Sequence, residues 1–204
     1  MVKSISIVMS VFNGEKYLKK SINSILNQTL ENFEFIIIND ASTDNSLEII
    51  NSYRDERIKL IENKDNIGLA ESLNKAITKA QGYYIARMDA DDISNRNRLE
   101  KQYNYLLQHS NLVAIGSNAD IIDECGNYIY TTNQPLNWSE IKNNLPYNSP
   151  FIHPTVTFRK DIFFKAGMYP DIPLSQDIFL FNKMAEFGKF ANIEESLMKY
   201  RISR

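Results

Sequence analysis

The sequence predicts an α/β fold, a doubly wound, mixed but mostly parallel sheet flanked by helices, and three observations predict it. Apolar runs of strand length alternate with segments of helical periodicity through residues 5–88. The runs at 5–11 and 33–38 are nearly continuous, as expected of parallel strands covered on both faces. Each run is followed by polar residues: Asn13, Asp40, residues 63–66 and residues 89–92. Strand–helix units joined by right-handed crossovers build such a sheet, and its ligands bind beyond the carboxyl ends of the strands.

Ile5–Val11 reads as the first strand. Residues 15–27 then place Leu18, Ile22, Ile25 and Leu26 on one helix face. After the second strand (33–38), Ser42, Thr43 and Asp44 offer N-cap chemistry for a helix through Leu47, Ile50 and Tyr53. Residues 57–62 alternate as a shorter strand. Residues 68–80 are helical, with Gly82 closing the helix, and 83–88 form the fourth strand. Arg98–Gln108 reads as a helix. Leu112–Ile122 and 128–132 read as a hairpin with Gly126 and Asn127 at its turn. A short helix (138–145), a proline-punctuated loop (146–154), a strand (155–159), a helix (176–187) and a closing strand (Lys189–Arg201) complete the chain. No repeat or linker interrupts it, so 1–204 reads as one domain.

A hydrophobic content of 43% in 204 residues suffices for one buried core. With a net charge of -2 the chain has no field to gather a polyanion, which argues against nucleic acid as a partner. Cys125 is the one cysteine, so an internal disulfide and a Cys-based zinc site are excluded, and a reducing cytosol fits. No stretch approaches ~20 apolar residues. The expected location is cytoplasmic, with peripheral attachment to the inner membrane face left open.

Asp89, Asp91 and Asp92 place three acids in four residues directly after an apolar strand. Carboxylates this close repel one another unless a cation offsets them. Alternation along an extended segment puts Asp89 and Asp91 on one side. Two oxygen ligands with open positions suit Mg²⁺ or Mn²⁺, which take their remaining ligands from waters and phosphates. The competing reading is that Asp91 and Asp92 merely cap the next helix. The location at a strand's carboxyl end favours the metal.

Several segments, in order, resemble glycosyltransferase family 2, the large inverting group with the GT-A fold. They are Ser6-Ile7-Val8-Met9-Ser10-Val11-Phe12-Asn13-Gly14-Glu15 with Ser24-Ile25-Leu26-Asn27-Gln28-Thr29, and Phe35-Ile36-Ile37-Ile38-Asn39-Asp40-Ala41-Ser42-Thr43-Asp44. Asn66-Ile67-Gly68-Leu69, Ala86-Arg87-Met88-Asp89-Ala90-Asp91-Asp92-Ile93, His153-Pro154-Thr155-Val156 and Gln176-Asp177 follow. Any one is weak; together they span essentially the whole chain.

The resemblance implies a metal-dependent (Mn²⁺ or Mg²⁺) inverting transfer of a sugar from a UDP-sugar donor to a hydroxyl of a glycan or lipid-linked saccharide acceptor. It makes 1–95 the nucleotide-sugar half and 96–204 the acceptor half, with a small acceptor-side subregion. By the same resemblance Phe12 packs on the donor's base, and Asn13 and Glu15 line the nucleotide pocket. Asp40 accepts a hydrogen bond from the base ring, which favours uracil, and Asn66 lies in a further donor block. Asp89 contacts ribose or metal, and Asp91 is the direct metal ligand. Asp177 matches the catalytic base, and Gln176 stands where the family usually has an acid. His153 and Gln176 face the acceptor.

The sequence departs from the pattern at Asn39 and Ala41, where Asp and Gly are commoner. Many members also carry a His after the Tyr-Arg pair as a third metal ligand. Here Tyr200-Arg201-Ile202 is followed by Ser203, and the sequence stops at Arg204. Either waters complete the coordination or the chain is truncated at its C-terminus.

Other roles compete for these side chains. Asp177 could cap its helix, and Asp44 reads as a cap. Arg87 reaches the diphosphate or pairs with a neighbouring acid. Arg98 reads most simply as part of a solvated helix face. His153 reads as a loop histidine, His109 as a helix-end residue, and Trp138 as packing for the short helix. A catalytically silent nucleotide-sugar-binding domain is the non-enzymatic alternative. A sugar nucleotidyltransferase needs a glycine-rich loop with Arg and Lys after the first strand, which Val11-Phe12-Asn13-Gly14-Glu15 lacks.

Overall fold

A computed structural model describes residues 4–145, 147–172 and 174–202. Among these the strands are β1 (Ile5–Val11), β2 (Phe33–Asn39), β3 (Ile58–Glu62), β4 (Tyr84–Asp89), β5 (Ile93–Ser94), β6 (Leu112–Ile122), β7 (Tyr128–Thr131), β8 (Thr157–Arg159) and β9 (Lys189–Arg201). The helices are α1 (Glu15–Leu26), α2 (Ser46–Asn51), α3 (Leu69–Lys79), α4 (Arg98–Gln108), α5 (Trp138–Asn144), α6 (Lys160–Lys165) and α7 (Gln176–Met184). A 3-10 turn, His153–Thr155, precedes β8.

The strands form one sheet in the order β3-β2-β1-β4-β8-β6-β9-β5, with β7 paired to β6. β1 pairs in parallel with β2 and β4, β2 with β3, and β6 with β9. β8 runs antiparallel to both β4 and β6. The expected mixed, mostly parallel sheet is what forms.

Period-two alternation splits the core between the two sheet faces. Val8, Ile36 and Ile38 pack with Leu73 and Ile77 of α3 and with Phe158, Phe163 and Phe181. Ile7, Met9, Phe35 and Ile37 pack with Leu18, Ile22 and Ile25 of α1 and with Leu99 and Leu106 of α4. The expected packing role of Trp138 holds: its ring meets Phe190 edge-on at 5.6 Å.

Several local expectations are corrected. The hairpin turn is centred on Glu124 and Cys125, because Gly126 N–H bonds to Asp123 O at 3.0 Å; Gly126 follows at φ +92°, the left-handed residue of a three-residue loop. Thr155 belongs to the 3-10 turn rather than to a strand. β5 and α6 were not foreseen; β5 has two residues and α6 six, too few to show a period. Part of the expected 146–154 loop, Pro146, lies outside the described residues.

Gly82 is not a left-handed helix cap. A Cβ there would lie 2.5 Å from the Ser6 backbone nitrogen and 2.7 Å from the Ile5 carbonyl carbon. Around it, Gly82 N–H donates to Ser6 Oγ (2.8 Å), and Glu34 accepts from Ser6 Oγ and Gln81 N–H (2.6 and 2.5 Å). Gly82→Ala must therefore push backbone apart at the edge of the core. We expect a loss of about 2–3 kcal/mol in urea unfolding; a loss under about 0.5 kcal/mol would show that the close approach is soft.

Candidate active site

The carboxyl ends of β1, β2, β3 and β4 stand side by side, and the loops leaving them interlock. Asn13, at φ 53°, donates its N–H to Ser42 Oγ (3.1 Å) and accepts Thr43 N–H through Oδ1 (2.8 Å). Glu15 accepts from Asn45 N–H and Nδ2 (3.0 and 2.6 Å), while its own N–H donates to Asp44 Oδ2 (2.9 Å). Asp44 also takes Ser46 N–H at 2.9 Å; the N-cap positions are Gly14 and Asn45, so Asp44 is not the expected cap but bonds first-turn N–H groups of both helices from outside them. These bonds fix the β1–α1 loop and leave Phe12 at its tip 52% exposed, an aromatic face turned to solvent beside the strand ends.

Asp40, 2% exposed, accepts Asn63 Nδ2 (2.7 Å), Ile67 N–H (3.0 Å) and Gly68 N–H (3.0 Å). Asn66 Oδ1 accepts the same Gly68 N–H at 3.1 Å. The loop after β3 is thereby folded against the end of β2. With three N–H donors on a carboxylate that has about four acceptor positions, one position remains.

The acidic segment is not extended. The chain leaves β4 at Asp89 and turns through Ala90 and Asp91, so alternation does not set their facing. Asp89 and Asp91 nevertheless line one cleft of about 440 Å³ with Ser10, Phe12, Asn13 and Tyr17. Lys16 and Glu124 close its rim with an ion pair of 2.9 Å. The capping alternative for Asp91 and Asp92 fails, since α4 begins only after Asn97, and Asp92 Oδ1 accepts Arg201 N–H at 2.8 Å.

Charge crowding is visible in the carboxyls. Burial first, then the negative charge of Asp89, raises the Asp91 carboxyl above the usual range. The same two causes raise Asp92 well above it. One oxygen of Asp92 is buried with no partner among the described residues. Arg87 offsets part of this charge, its guanidinium 2.6 Å from Asp89. That is the neighbouring-acid pairing weighed for Arg87 against a diphosphate contact. Two carboxylates crowded at an open cleft, with oxygen-only chemistry, fit Mg²⁺ or Mn²⁺. No group of three His, Cys, Asp or Glu suited to a metal occurs among the described residues. Ser203, where a third ligand was sought, lies outside the described residues.

Arg98 overturns its expected place on a solvated face. It is fully buried and donates to Arg87 O (3.1 Å) and Pro154 O (2.7 Å), tying β4 to the 3-10 turn. Burial pushes its guanidinium down to about 9. Nothing in an amphipathic pattern separates such an arginine from a surface one.

On the far side, Asp177 is the second residue of α7, whose N-cap is Ser175 at φ 62° with no side-chain cap bond, so Asp177 does not serve as the cap. Gln176 lines a second cleft of about 290 Å³ with Ile67, Gly68, Glu71 and Asp171. Tyr169 is 3% exposed, and burial pushes its hydroxyl above the usual phenol range. Its hydroxyl meets His153 Nε2 at 2.8 Å, and its backbone is gripped twice by Asn74 (2.9 and 3.0 Å). Glu15, Asp40, Asn66, His153 and Asp177 are not among the walls of the Asp89–Asp91 cleft. Tyr17, Lys16 and Glu124 are, and were missed. Tyr17 and Lys16 follow directly on the β1 loop and could have been suspected; Glu124 arrives only through long-range pairing.

Burial first, then the positive charge of Arg87, holds His153 well below the usual imidazole range. The native ring is neutral, while the unfolded chain takes up a proton near pH 6.5. Stability should therefore be level above about pH 7 and decline below about pH 6.5, by at most ~1.4 kcal/mol per pH unit from this group. Urea melts from pH 7.5 to 5.5 on wild type and His153→Gln check it; an equal slope in the variant would assign the effect elsewhere.

A strand-end aromatic, a crowded pair of acids and an interlocked loop set coincide with a family match. Residues 6–166 match the model described as "Glycosyl transferase family 2". The chain belongs to that family. It is 37% identical over 210 residues to an uncharacterized glycosyltransferase of Haemophilus influenzae, covering 97% of this chain and 65% of the relative. It is 38% identical to the O-antigen biosynthesis glycosyltransferase WbnJ of Escherichia coli, over 97% of this chain and 79% of that one. The chain thus spans just under two thirds of the Haemophilus relative's length. In fold it is similar to S. aureus TarS solved with UDP (TM-score 0.81, 20% identity, 98% of this chain and 61% of that one). The mannosyltransferase PcManGT of Pyrobaculum calidifontis, solved with GDP-Man and Mn²⁺, is also similar (TM-score 0.72, 17% identity, 98% and 56%). The fold is GT-A, as the motifs implied. No helix among the described residues is long and apolar enough to cross a membrane.

Proposed function

We propose that this family 2 domain transfers a sugar from a nucleoside diphosphate, with UDP as the carrier, to a hydroxyl of a glycan or lipid-linked saccharide. The observation that carries the reading is the single cleft in which exposed Phe12 meets Asp89 and Asp91. Phe12 offers its face to the base, and Asp40, with one acceptor position left, takes a ring N–H of uracil. Asn13 lines the nucleotide cleft, and Glu15 and Asn66 hold the donor loops in shape. Asp91 and Asp89 are the ligands for Mn²⁺ or Mg²⁺, which when bound stabilises charge on the departing diphosphate.

Asp177 accepts the proton of the attacking acceptor hydroxyl. Its carboxylate has no hydrogen bond among the described residues that would compete for that proton. Gln176 and His153 flank the acceptor, Gln176 by direct contact and His153 through Tyr169. Direct displacement with one base inverts the anomeric carbon; a retaining route requires a carboxylate nucleophile on the opposite face. TarS and PcManGT, solved with nucleotide sugars or nucleotide, support the donor class by likeness of fold.

The test is thermal shift with UDP, GDP and ADP, each with and without Mn²⁺, on wild type and Asp91→Ala. Ligand at about 100 times its Kd adds roughly 2.7 kcal/mol, or roughly 5–10 °C in a domain of this size. We expect that shift only with UDP and Mn²⁺ together, and its loss in Asp91→Ala. No shift with any nucleotide would withdraw the donor site. A shift without sugar transfer or donor hydrolysis would favour the silent binding domain.

A further inference from the structure

Arg201, near the end of β9, is 4% exposed and holds three separate segments. Its backbone N–H donates to Asp92 Oδ1 (2.8 Å) and its Nε to Asp91 O (2.9 Å). Its Nη1 donates to Asp123 O (2.8 Å) and Glu124 O (3.2 Å) in the hairpin turn. Its guanidinium lies over the Tyr17 ring of α1, 4.1 Å from the centroid. The turn it grips is itself braced, since Asp123 accepts Asn127 N–H and Nδ2 at 2.8 and 2.9 Å. Tyr17 in turn donates its hydroxyl to Glu124 O at 3.1 Å.

Arg201 thus links the two residues after Ala90 to the hairpin turn and to Tyr17. A carboxylate ligates a cation more tightly when it is already oriented, and bonds from outside the ligand shell commonly do the orienting. A planar fork that meets three carbonyls while stacking on an aromatic ring is geometry a lysine cannot reproduce. We propose that Arg201 is a positioning residue that fixes Asp91 for divalent-cation binding and makes that affinity answer to the hairpin turn at residues 123–127. The proposal rests on the donor-site reading for its cation, but the clamp is a property of the chain alone.

Three measurements on the whole chain separate the two. Mn²⁺ affinity is read by the free-ion EPR signal, with UDP present, in wild type, Arg201→Lys, Arg201→Met and Asp123→Ala. Hydrogen exchange is read on peptides covering 89–93, without metal. Melting temperature reports folding. We expect Mn²⁺ to bind about 10–100-fold more weakly in both Arg201 variants and several-fold more weakly in Asp123→Ala, whose half-buried side chain bonds to Asn127 rather than to Asp89 or Asp91. Exchange at 89–93 should rise in the same variants at temperatures where they are fully folded. A merely structural Arg201 would lower the melting temperature while folded protein kept wild-type Mn²⁺ affinity and exchange at 89–93, and that result overturns the proposal. If wild type binds no Mn²⁺ with UDP, the donor-site reading and the cation half of the proposal fall. Exchange then decides the clamp alone: unchanged protection of 89–93 in Arg201→Met and Asp123→Ala overturns it.

Discussion

Asp177→Asn should lower the rate constant for sugar transfer by about 10²–10⁴-fold, the usual worth of a positioned general base. The amide keeps the shape and cannot accept the acceptor's proton. The cleft that holds Asp89 and Asp91 does not include Asp177, so Mn²⁺-dependent UDP binding should stay within about twofold of wild type, as for a residue acting only in the transition state. The pair of readouts matters. Loss of both transfer and UDP binding would mean that Asp177 supports the fold of the donor site. Transfer within tenfold of wild type would place the base elsewhere. The result expected for a base is slow transfer by a protein that still shifts its melting temperature with UDP and Mn²⁺.

Arg98→Met should cost about 3–5 kcal/mol, a fall of roughly 10 °C or more in melting temperature. Arg98 is fully buried and supplies hydrogen bonds to the carbonyls of Arg87 and Pro154. Its positive charge also acts on Asp92, whose carboxyl is already raised by burial and by Asp89. The substitution leaves two carbonyls without that donor and a crowded acid with less compensation, and methionine cannot fill the guanidinium's volume. Thermal and urea unfolding of the variant check it. A change under about 1 kcal/mol would mean that the arginine is held at a desolvation cost that a well-packed apolar residue avoids.

The sequence by itself determined the frame of this protein. Nearly continuous apolar runs at 5–11 and 33–38 read as buried strands, and the 3.6-residue spacing of Leu18, Ile22 and Ile25 puts α1 on one face. Burial of apolar surface is local in pattern, so periodicity carries it. The same runs end where polar residues begin, which located Asn13, Asp40, Asp89 and Asp91 at the carboxyl ends of the strands, and the family resemblance added Phe12. Tertiary structure alone decided what those side chains do to one another. Asp40 stands in the sequence as an acceptor for a ligand, yet N–H groups from 23 to 28 residues away already take three of its acceptor positions. Arg98 looks like a surface cation on an amphipathic helix and Arg201 enters the sequence only as part of a Tyr-Arg pair, yet both are buried. Their partners lie as many as 56 and 110 residues distant. A charge is buried only when distant groups converge to satisfy it, and no local period records that convergence. The parallel pairing of β6 with β9 sets Arg201 against the turn that carries Glu124 into the cleft, which is why that wall could be read only from the folded chain.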